Sequence, residues 1–135
     1  MDFQKICIDT DYLVDVLRKK PNVLRIISIF EEKRTILATT SINSFELFYG
    51  AYKSNRPKNI RLVRKLLERL IILDWKNEFS EISGKILAEL ESKGEVIDFR
   101  DLFIGIIALK NGYELLTRNE KHYQSIPNLE LVESE

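Results

Sequence analysis

Residues 5–11 read KICIDTD, an apolar run that stops abruptly at two acids flanking a threonine. The unbroken Ile6, Cys7 and Ile8 have the pattern of a strand buried on both faces, and the polar turn after them sets its carboxyl end at Asp9. Strands covered on both faces belong to parallel sheets wrapped by helices, and such sheets bind ligands beyond the carboxyl ends of their strands. This stretch therefore reads as the first strand of an α/β fold, with Asp9 placed where chemistry is done.

Outward from it, Tyr12, Leu13, Val16 and Leu17 have helical spacing, with Thr10 or Asp11 available as N-cap. Pro21 follows the basic stop at residues 18–20, and Val23, Ile26, Ile27 and Phe30 predict a second short helix. Residues 35–40 are rich in β-branched side chains and predict a strand, after which Ser41 can cap a helix carrying Phe45, Leu47, Phe48 and Tyr52. Ile60, Val63, Leu66, Leu67 and Leu70 form a helical stripe leading into a short strand at residues 71–73. Phe79, Ile82, Ile86, Leu87 and Leu90 form the next stripe, ended by Gly94. DLFIGIIALKNG, residues 101–112, is apolar nearly all round and predicts a central packed helix stopped by Asn111 and Gly112. Residues 114–117 and 129–132 are the last strand candidates. Strands alternating with helices predict a mostly parallel sheet with helices packed on it.

Three carboxylates stand in apolar surroundings: Asp9 after ICI, Glu46 within INSFELFYGA, and Asp101 opening DLFIGIIAL. An ionised carboxylate buried without a partner costs several kcal/mol, and no Lys or Arg accompanies Asp9 or Glu46 on its own apolar segment. A divalent cation is a fitting partner. Mg²⁺ prefers oxygen ligands and commonly uses one or two carboxylates together with waters and substrate phosphate. Carboxylates held close also raise one another's proton affinity, so such a cluster takes up protons or metal. Asp98 stands before the apolar helix as its N-cap, leaving Asp101 one turn inside it and favoured by the helix dipole. Asn119, after LLTR at a strand end, offers a neutral amide oxygen for a metal-bound water, or alternatively caps a turn. His122, the lone histidine, reads as a surface residue, because no partner is visible in the sequence.

The 135 residues suit a single domain spanning 1–135. A hydrophobic fraction of 44% and a charged fraction of 31% are those of a globular protein. The 21 basic and 21 acidic residues balance, so any polyanion must be held by local features. The segment from Lys53 to Arg69 is such a feature: it carries seven cations and only Glu68 as an acid, making Arg61, Arg64 and Lys65 candidate phosphate contacts, or else a solvated helix face. The single cysteine, Cys7, excludes a disulfide framework, reads as a core residue and fits a reducing cytoplasm. Neither a signal-peptide pattern nor a run of roughly 18 apolar residues is present, so no membrane association is expected.

IDTDYLVDVL, SINSFELFYGA and DFRDLFIGIIALKNGYELLTRNEKHYQSIPNLEL, taken together and in this order, resemble the PIN-domain ribonucleases of the VapC toxin type, from about Lys5 to Leu131. The resemblance implies a three-layer α/β/α sandwich and a Mg²⁺- or Mn²⁺-dependent endoribonuclease. It puts the first acid at Asp9, the helix acid at Glu46, the third at Asp101 and the fourth position at Asn119, after the family's threonine at Thr117. Asp9 and Asp101 would be the direct metal ligands, Glu46 and Asn119 would be further candidate ligands, and the four together would form the catalytic set. The implied partners are RNA, a small cognate antitoxin that inserts a segment into the acidic groove, and a second copy in a homodimer. Two positions depart from the pattern: Asp11 stands where the family often has Asn, and Asn119 stands where many members have Asp. Two other readings compete. Ile8-Asp9-Thr10-Asp11 imitates the DxD of haloacid-dehalogenase-like phosphatases, which would leave Glu46 without a role. A catalytically silent PIN module acting only by RNA or antitoxin binding would keep the pocket without turnover.

Overall fold

The computed structural model describes residues 3–133. Four parallel strands form one sheet in the order β3-β2-β1-β4: β1 Lys5–Ile8, β2 Ile36–Thr40, β3 Ile71–Leu73 and β4 Glu114–Leu116. Between them run α1 Thr10–Leu17, α2 Pro21–Glu32, α3 Ser41–Lys53, α4 Pro57–Glu68, α5 Ser80–Ser92 and α6 Phe99–Lys110, and the single turn α7 Glu120–Tyr123 follows β4. Period-two alternation in β1 splits the core. Ile6 and Ile8 face a cluster with Leu13 of α1, Val23 of α2, Leu47 of α3 and Val63 of α4. Cys7, on the opposite face, joins Ala38, Leu115, Ile86 of α5 and Ile104 and Ile107 of α6. The sheet is thus the middle of three layers, as the resemblance implied. No described helix is long and apolar enough to cross a membrane.

The local signals explain most boundaries. Pro21 and Pro57 open α2 and α4 at positions where a missing N–H is harmless. Gly94 and Gly112 take left-handed backbone, with φ of 75° and 76°, just past α5 and α6. Asp98 caps α6, accepting from Arg100 N–H at 2.8 Å. Two expectations are corrected. The N-cap of α1 is Asp9 rather than Thr10 or Asp11: Asp9 is still extended, with φ −76° and ψ 162°, so Thr10 is the first helical residue. Residues 129–132 do not form a strand. They make one parallel bridge, Leu131 to Leu115, because Pro127 and the left-handed Asn128 turn the chain immediately before them and β4 is short.

The close approach of α7 to α6 positions the site. A Cβ on Gly105 would collide with the end of Ile126 and meet Tyr123 Cδ1 at 3.4 Å. The missing side chain lets the α7 segment lie on α6, with the Tyr123 ring buried between them and its hydroxyl directed to the carboxyl end of the sheet.

Candidate active site

Asp9 is the centre of the site. It is buried at the end of the central strand, and four donors converge on its carboxylate. Oδ1 accepts from Thr10 N–H at 2.8 Å and from Asn43 Nδ2 at 2.9 Å. Oδ2 accepts from the Thr117 hydroxyl at 2.7 Å and faces the Tyr123 hydroxyl at 3.2 Å. Each donor is itself fixed. Asn43 is the N3 residue of the capping box that starts α3: its Oδ1 accepts from Thr40 N–H and the Thr40 hydroxyl, so its amide can only present hydrogens to Asp9 and Thr10. Thr117 is buried one residue beyond β4, and β4 pairs with β1 so that Ile8 lies beside Leu116.

Asp101 reaches the same hydroxyl from the first turn of α6. Its Oδ1 lies 3.2 Å from Tyr123 Oη, and its Oδ2 lies 3.1 Å from His122 Nδ1. Burial pushes the Asp101 carboxyl above its usual range; the Tyr123 hydrogen bond opposes this and the charge of Asp9 adds to it. Glu46 stands on the other side, accepting from the Thr10 hydroxyl at 2.7 Å with Arg100 Nη1 at 3.6 Å. Burial raises Glu46 too, opposed by the Thr10 hydrogen bond and reinforced by Asp9. The Tyr123 phenol is driven far above its ordinary value, by burial first and then by the two adjacent carboxylates, so it is a neutral O–H donor at any working pH.

The sequence candidates are therefore placed unequally. Asp9 and Asp101 converge on one hydroxyl, and Glu46 joins them through Thr10. Asn119 is exposed at the start of α7, and its backbone N–H bonds to Thr117 Oγ1 at 3.0 Å, which braces the Thr117 contact with Asp9. His122 is exposed, as expected, and its ring lies beside Asp101, a partner contributed by α6. The Asp11 carboxylate accepts from the backbone N–H groups of Tyr12 and Arg118, at 2.7 and 2.9 Å; burial raises its proton affinity, the Arg118 hydrogen bond opposes this and the charge of Asp9 adds to it. Arg61, Arg64 and Lys65 line the exposed side of α4. Asn43 and Tyr123 are not among the sequence candidates. The T-x-x-N spacing of a capping box is a visible signal for Asn43, whereas Tyr123 reads as an ordinary core aromatic.

Among the described residues, no three His, Cys, Asp or Glu side chains converge as a ready-made cation cage. The donor set still suits a hard cation that keeps most of its waters, because Asp9 and Asp101 present oxygens alone and share a single polar neighbour. Beside Glu46, α1, α3 and α4 enclose an open groove of about 290 Å³ whose apolar lining includes Val14, Leu17, Leu47, Ala51 and Val63.

Comparison with known proteins gives a consistent result. The PIN domain family pattern matches residues 6–126. Ribonuclease VapC2 of Haemophilus influenzae is 32% identical over 123 residues, covering 90% of this chain and 92% of that one. The tRNA(fMet)-specific endonuclease VapC of Salmonella typhimurium is 30% identical over 128 residues, 94% of this chain and 96% of its own. The crystal structure of VapBC2 from Rickettsia felis, bound to a DNA fragment from its promoter, superposes with a TM-score of 0.87 at 28% identity, covering 98% of this chain and all of that one.

Proposed function

The chain belongs to the PIN-domain family, and from that premise we propose that it is a metal-dependent endoribonuclease, the toxin of a toxin–antitoxin pair. The observation that carries the reading is the convergence of Asp9 and Asp101 on one point at the carboxyl end of the parallel sheet. The relatives named as ribonucleases, which this chain matches over nearly its whole length, support the same chemistry.

Asp9 and Asp101 would hold Mg²⁺ or Mn²⁺, which would supply Lewis acidity toward water and neutralise charge at phosphorus. The rest falls to the protein. Asn43, Thr10 and Thr117 hold the Asp9 carboxylate in a single orientation, which removes reorganisation from the reaction. Glu46, half-buried and with its proton affinity raised, is suited to accept a proton from the attacking water. The basic side of α4, with Arg61, Arg64 and Lys65, is the proposed grip on RNA phosphates. Asn119, through Thr117, supports the site from behind.

A small antitoxin is the proposed partner, in keeping with the VapBC structures that this chain resembles. The apolar groove beside Glu46 suits a helical segment, with a basic side chain reaching the acids. A homodimer is proposed from the family alone. The deciding experiment incubates purified, antitoxin-free protein with diverse RNAs and Mg²⁺ or Mn²⁺. Cleavage that disappears on chelation and in Asp9→Asn supports the reading; intact RNA in every condition sinks it.

A further inference from the structure

We propose that the Tyr123 hydroxyl sets the cation affinity of the site by engaging, when no cation is bound, the oxygens of Asp9 and Asp101 that turn toward each other. The inference rests on the reading of those two residues as cation ligands.

A carboxylate offers about four acceptor positions. Asp9 meets four donors: Thr10 N–H, Asn43 Nδ2, the Thr117 hydroxyl and the Tyr123 hydroxyl. A cation approaching Asp9 must therefore displace one of them. Thr10 N–H belongs to the first turn of α1, Asn43 is locked by Thr40, and Thr117 makes the shortest contact of the four at 2.7 Å. Tyr123 makes the longest, 3.2 Å, and its single hydrogen is divided between Asp9 Oδ2 and Asp101 Oδ1, also at 3.2 Å. It is the donor that yields.

It cannot retreat far. The ring is fully buried and pressed against α6 where Gly105 has no side chain, so a bound cation and the hydroxyl remain neighbours. Tyr123 thus has two opposed effects. It screens one carboxylate from the other when the site is empty of metal, and it competes for the oxygens that metal requires.

Tyr123→Phe keeps the buried ring and removes only the competitor. Its apparent Kd for Mn²⁺, read from the loss of the free-ion electron paramagnetic resonance signal in the absence of RNA, should fall about tenfold, the equivalent of one hydrogen bond to a charged group. Thermal denaturation should show the complementary change: a lower midpoint than wild type in chelator, and a larger rise on adding Mn²⁺. An unchanged or weaker Mn²⁺ affinity in Tyr123→Phe overturns the proposal. Asp9→Asn is measured in parallel. If it loses Mn²⁺ while Tyr123→Phe matches wild type, only the role of Tyr123 fails; if Asp9→Asn binds Mn²⁺ as well as wild type, the ligand reading fails and the proposal with it.

A second readout needs no substitution. With the five tyrosines replaced by 3-fluorotyrosine, one fluorine resonance should move on titration with Mg²⁺, following the binding midpoint. Tyrosine resonances that all stay in place while Mg²⁺ binds would overturn the proposal.

Discussion

The acidic pole at the carboxyl end of the sheet and the basic side of α4 carry opposite charge, and they are built in opposite ways. At the acidic pole, Asp9 is buried and held by four donors drawn from α1, α3, the end of β4 and α7. On α4, Arg61, Arg64 and Lys65 are exposed on consecutive turns of one helix. The difference fits the roles proposed for the two regions. Reaction at phosphorus needs groups fixed within a fraction of an ångström, which only a packed shell provides. Holding a flexible polyanion needs charge density and tolerates motion.

The largest loss is expected from the proposed ligands themselves. Asp9→Asn and Asp101→Asn should each reduce metal-dependent RNA cleavage by more than about 100-fold, since even residues that only orient ligands typically cost 10- to 100-fold. Circular dichroism should show the fold retained, because Asn can still cap α1 and the Thr117 and Tyr123 hydroxyls can turn to accept from its amide. Residual activity near wild type in either variant would break the comparison at its centre.

The next effect tests the shell. Thr117→Val removes the shortest hydrogen bond to Asp9, at 2.7 Å, and keeps the shape of the side chain. A loss of about 10- to 100-fold in cleavage is expected. A negligible change would mean that Thr10, Asn43 and Tyr123 orient Asp9 without Thr117.

How far these regions are legible in the sequence depends on the range over which each contact forms. Asp9 is legible because ICI declares a buried strand and the acid breaks it. Asp101 is legible because seven apolar residues follow close behind. The parallel sheet, both apolar helix faces and the Asp98 cap likewise follow from local pattern. What cannot be read is who surrounds Asp9. Asn43, Thr117 and Tyr123 lie 34, 108 and 114 residues away along the chain and reach it only because β1 has β2 on one side and β4 on the other. The His122 contact with Asp101 arises in the same way, from the packing of α7 on α6. The N-cap of α1 is ambiguous in sequence because Asp9, Thr10 and Asp11 are all good caps, and only the backbone angles separate them.

On the basic side, replacing Arg61, Arg64 and Lys65 together by Gln should weaken RNA binding without changing the cleavage rate of bound RNA. For single-stranded RNA the slope of log K against log salt should become shallower by about 2, at roughly 0.7 for each phosphate no longer neutralised. Stability should stay within about 0.5 kcal/mol of wild type, as expected for exposed positions. An unchanged salt slope would return this side of α4 to an ordinary solvated helix face.

The smallest effect distinguishes the two regions by stability alone. Burial raises the Asp101 carboxyl above its ordinary value of 3.8, so over the pH interval between the ordinary and raised values the folded chain binds more protons at this site than the unfolded chain. Stability contributed by such a group falls as pH rises through that interval, because ionisation is easier in the unfolded state. Asp101→Asn removes the ionisation and keeps the shape. In chelator it should therefore match wild type below pH 3.8 and exceed it at neutral pH, as read from urea midpoints across the range. Glu46→Gln should behave in the same direction, because burial raises that carboxyl from 4.5. Mn²⁺ should cancel the advantage of Asp101→Asn by stabilising only the chains that retain both Asp9 and Asp101. A wild type as stable as Asp101→Asn at neutral pH in chelator would show that Tyr123 and His122 offset the burial of the acid, and that the acidic pole carries no standing strain for a cation to relieve.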